Sequence, residues 1–205
     1  GREVREPSAQ EHGYLARNKV LIPDTAHGTN PASCSMNGLK VVTCDSGKDG
    51  ILSLAEVEQK MDDSVAAIMI TNPNTIGKFE KQIVEIARLV HERGGMVYAD
   101  GANLNSFMGW GDVAKMGIDA MHINLHKTFS TPHGGGGPGA GPIVVTEALE
   151  PYLPVPRIVR RGEHFGLDSA FSKSVGKVHG FFGNFGVLLR AWTYIRELGP
   201  DGIRD

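Results

Sequence analysis

The sequence predicts an α/β fold with a mostly parallel sheet and flanking helices, and three observations carry that expectation. Strand-like and helix-like stretches alternate along residues 19–145. Val65 to Ile70 is apolar at every position, as in a strand covered on both faces. Four strand-like stretches end in turns of small residues that carry His27, Asn74, Asp100 and Lys127. A parallel sheet sets its strand ends along one edge, where ligands of such folds bind.

Taken in order, residues 1–18 are polar and read as the tail of a helix and a loop. Lys19 to Pro23 is a short apolar strand. Asp24-Thr25-Ala26-His27-Gly28-Thr29-Asn30-Pro31-Ala32-Ser33 turns from strand to helix, with several capping candidates and a proline near the first helical position. A capped helix start explains most of that stretch, a ligand-facing turn explains it equally well, and His27 decides between them. Leu39 to Cys44 is the next strand, and Gly47-Lys48-Asp49-Gly50 a turn. Ser53-Leu54-Ala55-Glu56 is a capping box that opens a helix to Met61. After the Val65–Ile70 strand and its Thr71-Asn72-Pro73-Asn74-Thr75-Ile76-Gly77 turn, residues 81–93 place Ile83, Val84, Ile86, Ala87, Leu89 and Val90 at helical spacing before Gly94-Gly95.

Met96 to Ala99 is a buried strand ending in Asp100-Gly101-Ala102-Asn103, and Asp119 to Leu125 an alternating strand ending at Lys127. Gly141 to Val145 is a further strand. Beyond Pro151 the texture changes. Pro151 to Arg161 is proline-rich and basic and reads as an exposed crossing segment, and Val187 to Leu198 as a helix ending at Gly199-Pro200. Residues 1–150 are therefore expected to form one large domain, with 151–205 leading out of it.

With 205 residues, a net charge of -2 and 40% hydrophobic residues, the chain has the balance of a globular protein with one sizeable core. Nothing is basic enough to suggest nucleic acid or an anionic membrane, and no apolar run approaches a membrane span. Residue 1 is Gly, which suggests an N-terminus further upstream. Cys34 and Cys44 lack a Cys-x-x-Cys spacing and read as structural thiols of a reducing compartment.

The stretch from His122 to Gly139 concentrates the chemistry. Lys127 stands where a strand gives way to a glycine-proline loop, whose backbone N–H groups could face an anion. A surface lysine beside a flexible turn is the plain alternative. A nucleotide-binding loop needs its lysine after the glycines, and here it precedes them. Zinc could recruit His122, His126 and His133, but their spacings match no metal motif. A lysine so placed can form a Schiff base with an aldehyde cofactor. Pyridoxal phosphate also needs an acid at its ring nitrogen, for which Asp100 is suited. Asn74 could donate to the ring hydroxyl, and His27 could cover one ring face. Each is also explicable as a turn or cap residue.

These stretches resemble the glycine dehydrogenase (decarboxylating) family, the P-protein of the glycine cleavage system. The resemblance rests on Ala26–Ser33, Thr71–Thr75, Asp100-Gly101-Ala102-Asn103-Leu104-Asn105, Asn124 to His133 with its glycines, and Phe182-Gly183-Asn184-Phe185-Gly186. Leu153-Pro154-Val155-Pro156-Arg157 is more similar to the separate second subunit of two-subunit bacterial enzymes than to the fused form. The resemblance implies a fold-type-I, aminotransferase-like large domain holding pyridoxal 5'-phosphate. Lys127 would be the covalent attachment, Asp100 the partner of the ring nitrogen, His27 the stacking residue, and Thr29, Asn74 and Ala102 further cofactor contacts. Lys127, Asp100 and His126 would be catalytic, His126 as a proton carrier. The family's phosphate-binding turn would precede Gly1 and its small domain follow Asp205.

The implied reaction is decarboxylation of glycine and transfer of the aminomethyl group to the lipoyl group of H-protein, in assembly with a first subunit. The setting would be cytoplasmic in a bacterium, or the mitochondrial matrix in a eukaryote. Arg157, Arg160, Arg161 and Arg190 are equal candidates for the glycine carboxylate. Another fold-type-I lyase or decarboxylase, or a non-catalytic scaffold subunit, are the competing readings.

Overall fold

The structure, a computed structural model, describes residues 17–178 and 183–205, so the predicted helix tail before Arg17 and the motif residue Phe182 lie outside the described residues. The chain forms two compact units. The first comprises the described residues up to Ser106 together with Asp112–Ile118; the second comprises Phe107–Gly111 and Asp119–Asp205. The texture change at Pro151 falls inside the second unit.

In the first unit the strands are β1 (Lys19–Pro23), β2 (Lys40–Cys44), β3 (Val65–Thr71) and β4 (Met96–Gly101), all parallel, with β1 between β2 and β3 and β4 beyond β3. Helices α1 (Thr29–Met36), α2 (Leu54–Lys60) and α3 (Ile83–Glu92) connect them. Alternation along the strands sorts the core into two layers. Leu21, Ile68, Ile70 and Val97 pack with Val57 of α2 and Ile83, Ile86 and Val90 of α3. Val20 and Ile22 pack with Cys34 of α1 and the half-buried Val41, Ala67 and Met69. A sheet apolar on both faces needs helices on both, which the continuous Val65–Ile70 run foretells. The Ser53 capping box is present: Ser53 Oγ accepts the Glu56 N–H at 3.2 Å. Both cysteines are free and buried, and burial pushes the Cys44 thiol up to about 12, which keeps it inert.

The strand order has a consequence for binding. From β1 the chain crosses outward to β2, then returns past β1 to β3 and β4. The loops leaving β1 and β3 therefore diverge to opposite faces and leave a crevice between their ends, the usual ligand position in open α/β sheets. His27 lies in the first loop and Asn72 to Lys78 form the second. Thr75 Oγ1 donates to the Thr25 carbonyl and ties one loop to the other.

In the second unit β5 (Ala120–Ile123) pairs antiparallel with β6 (Ile143–Val145). Between them lies a single helical turn, α4 (Leu125–Thr128). The expected strand thus stops short of Leu125, and Lys127 sits in a helical turn. The segment expected to cross the surface contains a hairpin of β7 (Arg157–Arg161) and β8 (His164–Asp168). Helix α5 (Phe185–Arg204) is broken at the expected stop: Gly199, at φ +63°, leaves helical geometry, and the turn that follows Pro200 is pinned by Trp110 Nε1 donating to the Arg204 carbonyl at 3.1 Å. No helix among the described residues is long and apolar enough to cross a membrane.

Candidate active site

Asp100 closes β4 and is buried, 5% exposed. Its Oδ1 accepts the Ala102 N–H at 3.0 Å, and its Oδ2 accepts from Asn30 Nδ2 at 3.3 Å and Thr71 Oγ1 at 3.4 Å. Thr71 reaches it because it is Asp100's register partner across the parallel β3–β4 pair. Asn30 reaches it from the first turn of α1, where a polar side chain turned inward is itself buried, 3% exposed. Three donors from three elements fix the plane of a carboxylate that would otherwise rotate. Sequence reading found Asp100 and Ala102 but assigned no role to Asn30 or Thr71. The available signal was that Asn30 and Thr71 stand on motif stretches whose helix and strand positions face a core.

His27 is exposed, and its Nδ1 accepts the Thr29 N–H at 3.1 Å. The imidazole therefore satisfies an open N–H at the start of α1, where Gly28 offers no capping side chain. The ring is held at one edge by this bond while its exposure leaves a face for a flat group. The capping reading of that turn has its hydrogen bond, and the ring remains exposed. Thr29 supplies the backbone donor.

Asn74 is different. It is 1% exposed, and every hydrogen-bonding group of its amide is engaged. Nδ2 donates to the Gly50 carbonyl and to Glu80 Oε1, both at 2.8 Å. Oδ1 accepts from the Ile76 and Lys78 N–H groups at 3.3 and 3.0 Å. With both amide protons spent, the geometry gives Asn74 the role of a loop former and leaves no donor for a ring hydroxyl.

Lys127 projects from α4, whose Leu125 and Thr128 are buried. Leu125 packs against Val187 and Ala191 of α5, so the turn is seated on that helix and Lys127 is left exposed. The Asn124 carbonyl accepts the Lys127 and Thr128 N–H groups, each at 3.0 Å. Among the described residues the Lys127 ammonium has no ion pair or hydrogen bond. The glycine loop after it winds through positive φ at Gly134, Gly135 and Gly136, where a side chain would be strained. The Gly136 N–H donates to His133 Nδ1 at 2.6 Å and the Gly137 N–H to the His133 carbonyl. Those two donors fold the loop upon His133 and do not form an anion nest.

His126 meets His133 edge to face, with ring centroids 4.6 Å apart. Its Nδ1 is buried without a hydrogen-bond partner among the described residues, and Gly139 packs closely on it: a Cβ there would approach Nδ1 to 3.3 Å, a tight contact. Burial, then the positive charge of His133 and Lys127, holds the His126 imidazole below its usual 6.5. The unfolded chain thus takes up this proton at higher pH than the folded chain. His126 supports the fold above the ordinary value, and that support is lost as pH falls through the lowered folded-state value. His126→Gln is expected to flatten the acid side of the stability curve, read as urea midpoints between about pH 5 and 8. A variant with the same pH dependence as the parent would contradict this placement of the imidazole.

Of the four candidate arginines, Arg157 is spent on structure. It pairs with Glu150, donates to the carbonyls of Glu150, Pro151 and Leu153, and lies 3.9 Å from the Phe171 ring centroid. Arg161 pairs with Asp168 at 3.0 Å, and Arg160 Nε donates to the Gly162 carbonyl at 2.9 Å. Arg190 lines a cavity of about 360 Å³ with Ser130, Thr193, Tyr194, Leu189 and Glu197.

The model of the aminotransferase class-V family matches residues 8–138. The chain is 55% identical to the probable glycine dehydrogenase (decarboxylating) subunit 2 of Fervidobacterium nodosum and 48% identical to that of Chlorobium chlorochromatii. Each alignment covers 97% of this chain, but only 45% and 44% of the relative, so the chain spans less than half the length of these proteins. Among solved structures it is similar to the sphingosine-1-phosphate lyase of Burkholderia pseudomallei, with a TM-score of 0.68 at 16% identity, covering 95% of this chain and 44% of that one. That likeness shows the fold alone. The relatives' names agree with the resemblance read from the motif stretches.

Proposed function

Because the chain belongs to the class-V aminotransferase family, whose fold holds pyridoxal 5'-phosphate, we propose that it carries the cofactor-binding core of a glycine-decarboxylating enzyme of the subunit-2 type. The observation that carries the chemistry is the Asp100 carboxylate, buried at a strand's carboxyl end with its plane fixed by three donors. Among the described residues the group is fitted in two further ways: Lys127 is an unpaired amine, and His126 Nδ1 is a buried polar atom with no partner.

When bound, the cofactor supplies an electron sink that accepts the charge released as the carboxyl group leaves the substrate. Asp100 keeps the proton on the ring nitrogen, since a fixed carboxylate favours the charged form. Asn30, Thr71 and the Ala102 N–H keep that carboxylate aimed and need no reorientation during the reaction. Lys127 Nζ would hold the cofactor at its aldehyde carbon. His126, whose basicity burial lowers, can take a proton beside Lys127 and return it. His27 offers an exposed ring face to the flat cofactor, with Thr29 and Ala102 on the turns beside it.

Glycine is the proposed substrate. Arg190, the candidate with no structural contact among the described residues, is the proposed partner of its carboxylate. The lipoyl group of H-protein is the proposed acceptor, and a first subunit the proposed partner, as the relatives' designation as subunit 2 supports. The bacterial relatives favour a cytoplasmic setting. The test is exchange of labelled bicarbonate into glycine by the complete subunit assembled with its partner subunit and lipoylated H-protein. Exchange supports the reading, and its absence from a correctly assembled complex overturns it.

A further inference from the structure

Glu80, between the loop after β3 and α3, is 0% exposed. Burying a carboxylate without a cation is costly, and among the described residues Glu80 makes no ion pair. Burial accordingly holds it above the ordinary carboxylate range, against the lowering effect of its two hydrogen bonds. Its partners are neutral. Oε2 accepts the Leu52 N–H at 2.8 Å and Oε1 accepts from Asn74 Nδ2 at 2.8 Å, while its own N–H donates to Asn72 Oδ1 at 2.9 Å. Apolar residues would fill that space at less cost, so the carboxylate is kept for what it holds.

What it holds continues toward Asp100. Asn103 Nδ2 donates to the carbonyls of Pro73 at 2.9 Å and Asn74 at 3.2 Å. Asn103 closes the turn that Asp100 opens, and the Ala102 N–H within that turn donates to Asp100 Oδ1. Hydrogen bonds therefore run from Leu52 through Glu80 to Asn74 and from the Asn74 carbonyl to Asn103, whose backbone continues into the Asp100 turn. We propose that Glu80 is a positioning residue for Asp100, acting through Asn74 and Asn103. This rests on the reading of Asp100 as the partner of the cofactor's ring nitrogen.

Glu80→Gln keeps the shape but supplies only one acceptor where two donors converge, so either Leu52 N–H or Asn74 Nδ2 faces an N–H group. The test uses the complete subunit with its partner subunit. It compares Glu80→Gln, Asn103→Ala, their double variant, Asp100→Asn, and Ile86→Val as a core control. The readouts are the dissociation constant for pyridoxal phosphate, the absorption maximum of the bound cofactor, and Tm. Glu80→Gln and Asn103→Ala are each expected to weaken cofactor binding by about tenfold and to shift the absorption maximum in the direction of Asp100→Asn. The double variant should lose less than the product of the two single losses, as parts of one network do. Ile86→Val should lower Tm and move neither.

A Glu80→Gln protein with lowered Tm but unchanged affinity and absorption overturns the proposal, as do single losses that simply multiply. If Glu80→Gln does not fold, Asn103→Ala decides alone, and an unshifted spectrum there overturns it. If Asp100→Asn leaves the spectrum unmoved, the reading of Asp100 falls and the proposal with it. If only Glu80→Gln and Asn103→Ala leave it unmoved, the proposal alone falls.

Discussion

Lys127→Ala is expected to abolish retention of pyridoxal phosphate through gel filtration and to lower bicarbonate exchange by several orders of magnitude. The expectation follows from the placement of the side chain. Leu125 and Thr128 are buried on either side of it, so the α4 turn stays anchored when the lysine is cut back. Lys127 itself is exposed and makes no ion pair among the described residues, and such surface substitutions usually change stability by less than about 0.5 kcal/mol. The loss would therefore be of covalent attachment and not of the fold, which an unchanged Tm would establish. A variant that stays coloured and turns over at the parent rate would move the attachment to another lysine.

Asp100→Asn is expected to keep cofactor on Lys127 while lowering decarboxylation by about 10²–10³-fold or more. The amide is nearly isosteric, and its carbonyl can still accept the Ala102 N–H. The side chain loses the negative charge that favours a protonated ring nitrogen, and its NH₂ group turns toward Asn30 Nδ2 and Thr71 Oγ1, which now serve an acceptor. Both changes weaken the sink without removing the amine that holds the cofactor. Single-turnover decarboxylation separates this loss from weaker substrate binding. A near-normal rate would mean that Asp100 only shapes its turn.

Much of the fold was legible because its signals are local. The bounds of β1 follow from one apolar run that ends at a proline, and the start of α2 from a capping box whose hydrogen bond is present. Asp100 and Lys127 were legible as chemistry because a carboxylate and a lysine at the ends of apolar strands stand out. Lys127's helical turn was not, since alternation from Met121 to Leu125 continues the strand pattern past the point where the Asn124 carbonyl starts a helix. The β7–β8 hairpin was masked by its composition: Arg157, Arg160 and Arg161 interrupt the apolar pattern of Ile158, Phe165 and Leu167, and its pairing is set across the turn. Asn74 was misread for a related reason. An asparagine in a turn looks available until its partners are known, and Gly50 and Glu80 lie 24 and 6 residues away. Asn30 and Thr71 escaped because their place on core-facing positions of motif stretches does not say that they turn toward a buried carboxylate.

The central claim is that this chain holds pyridoxal phosphate through one named amine. Borohydride reduction of the complete subunit loaded with the cofactor fixes that bond irreversibly, and peptide mapping then locates the pyridoxyl group. The account predicts the label on the peptide containing Lys127. Label on any other lysine, or none, would contradict it.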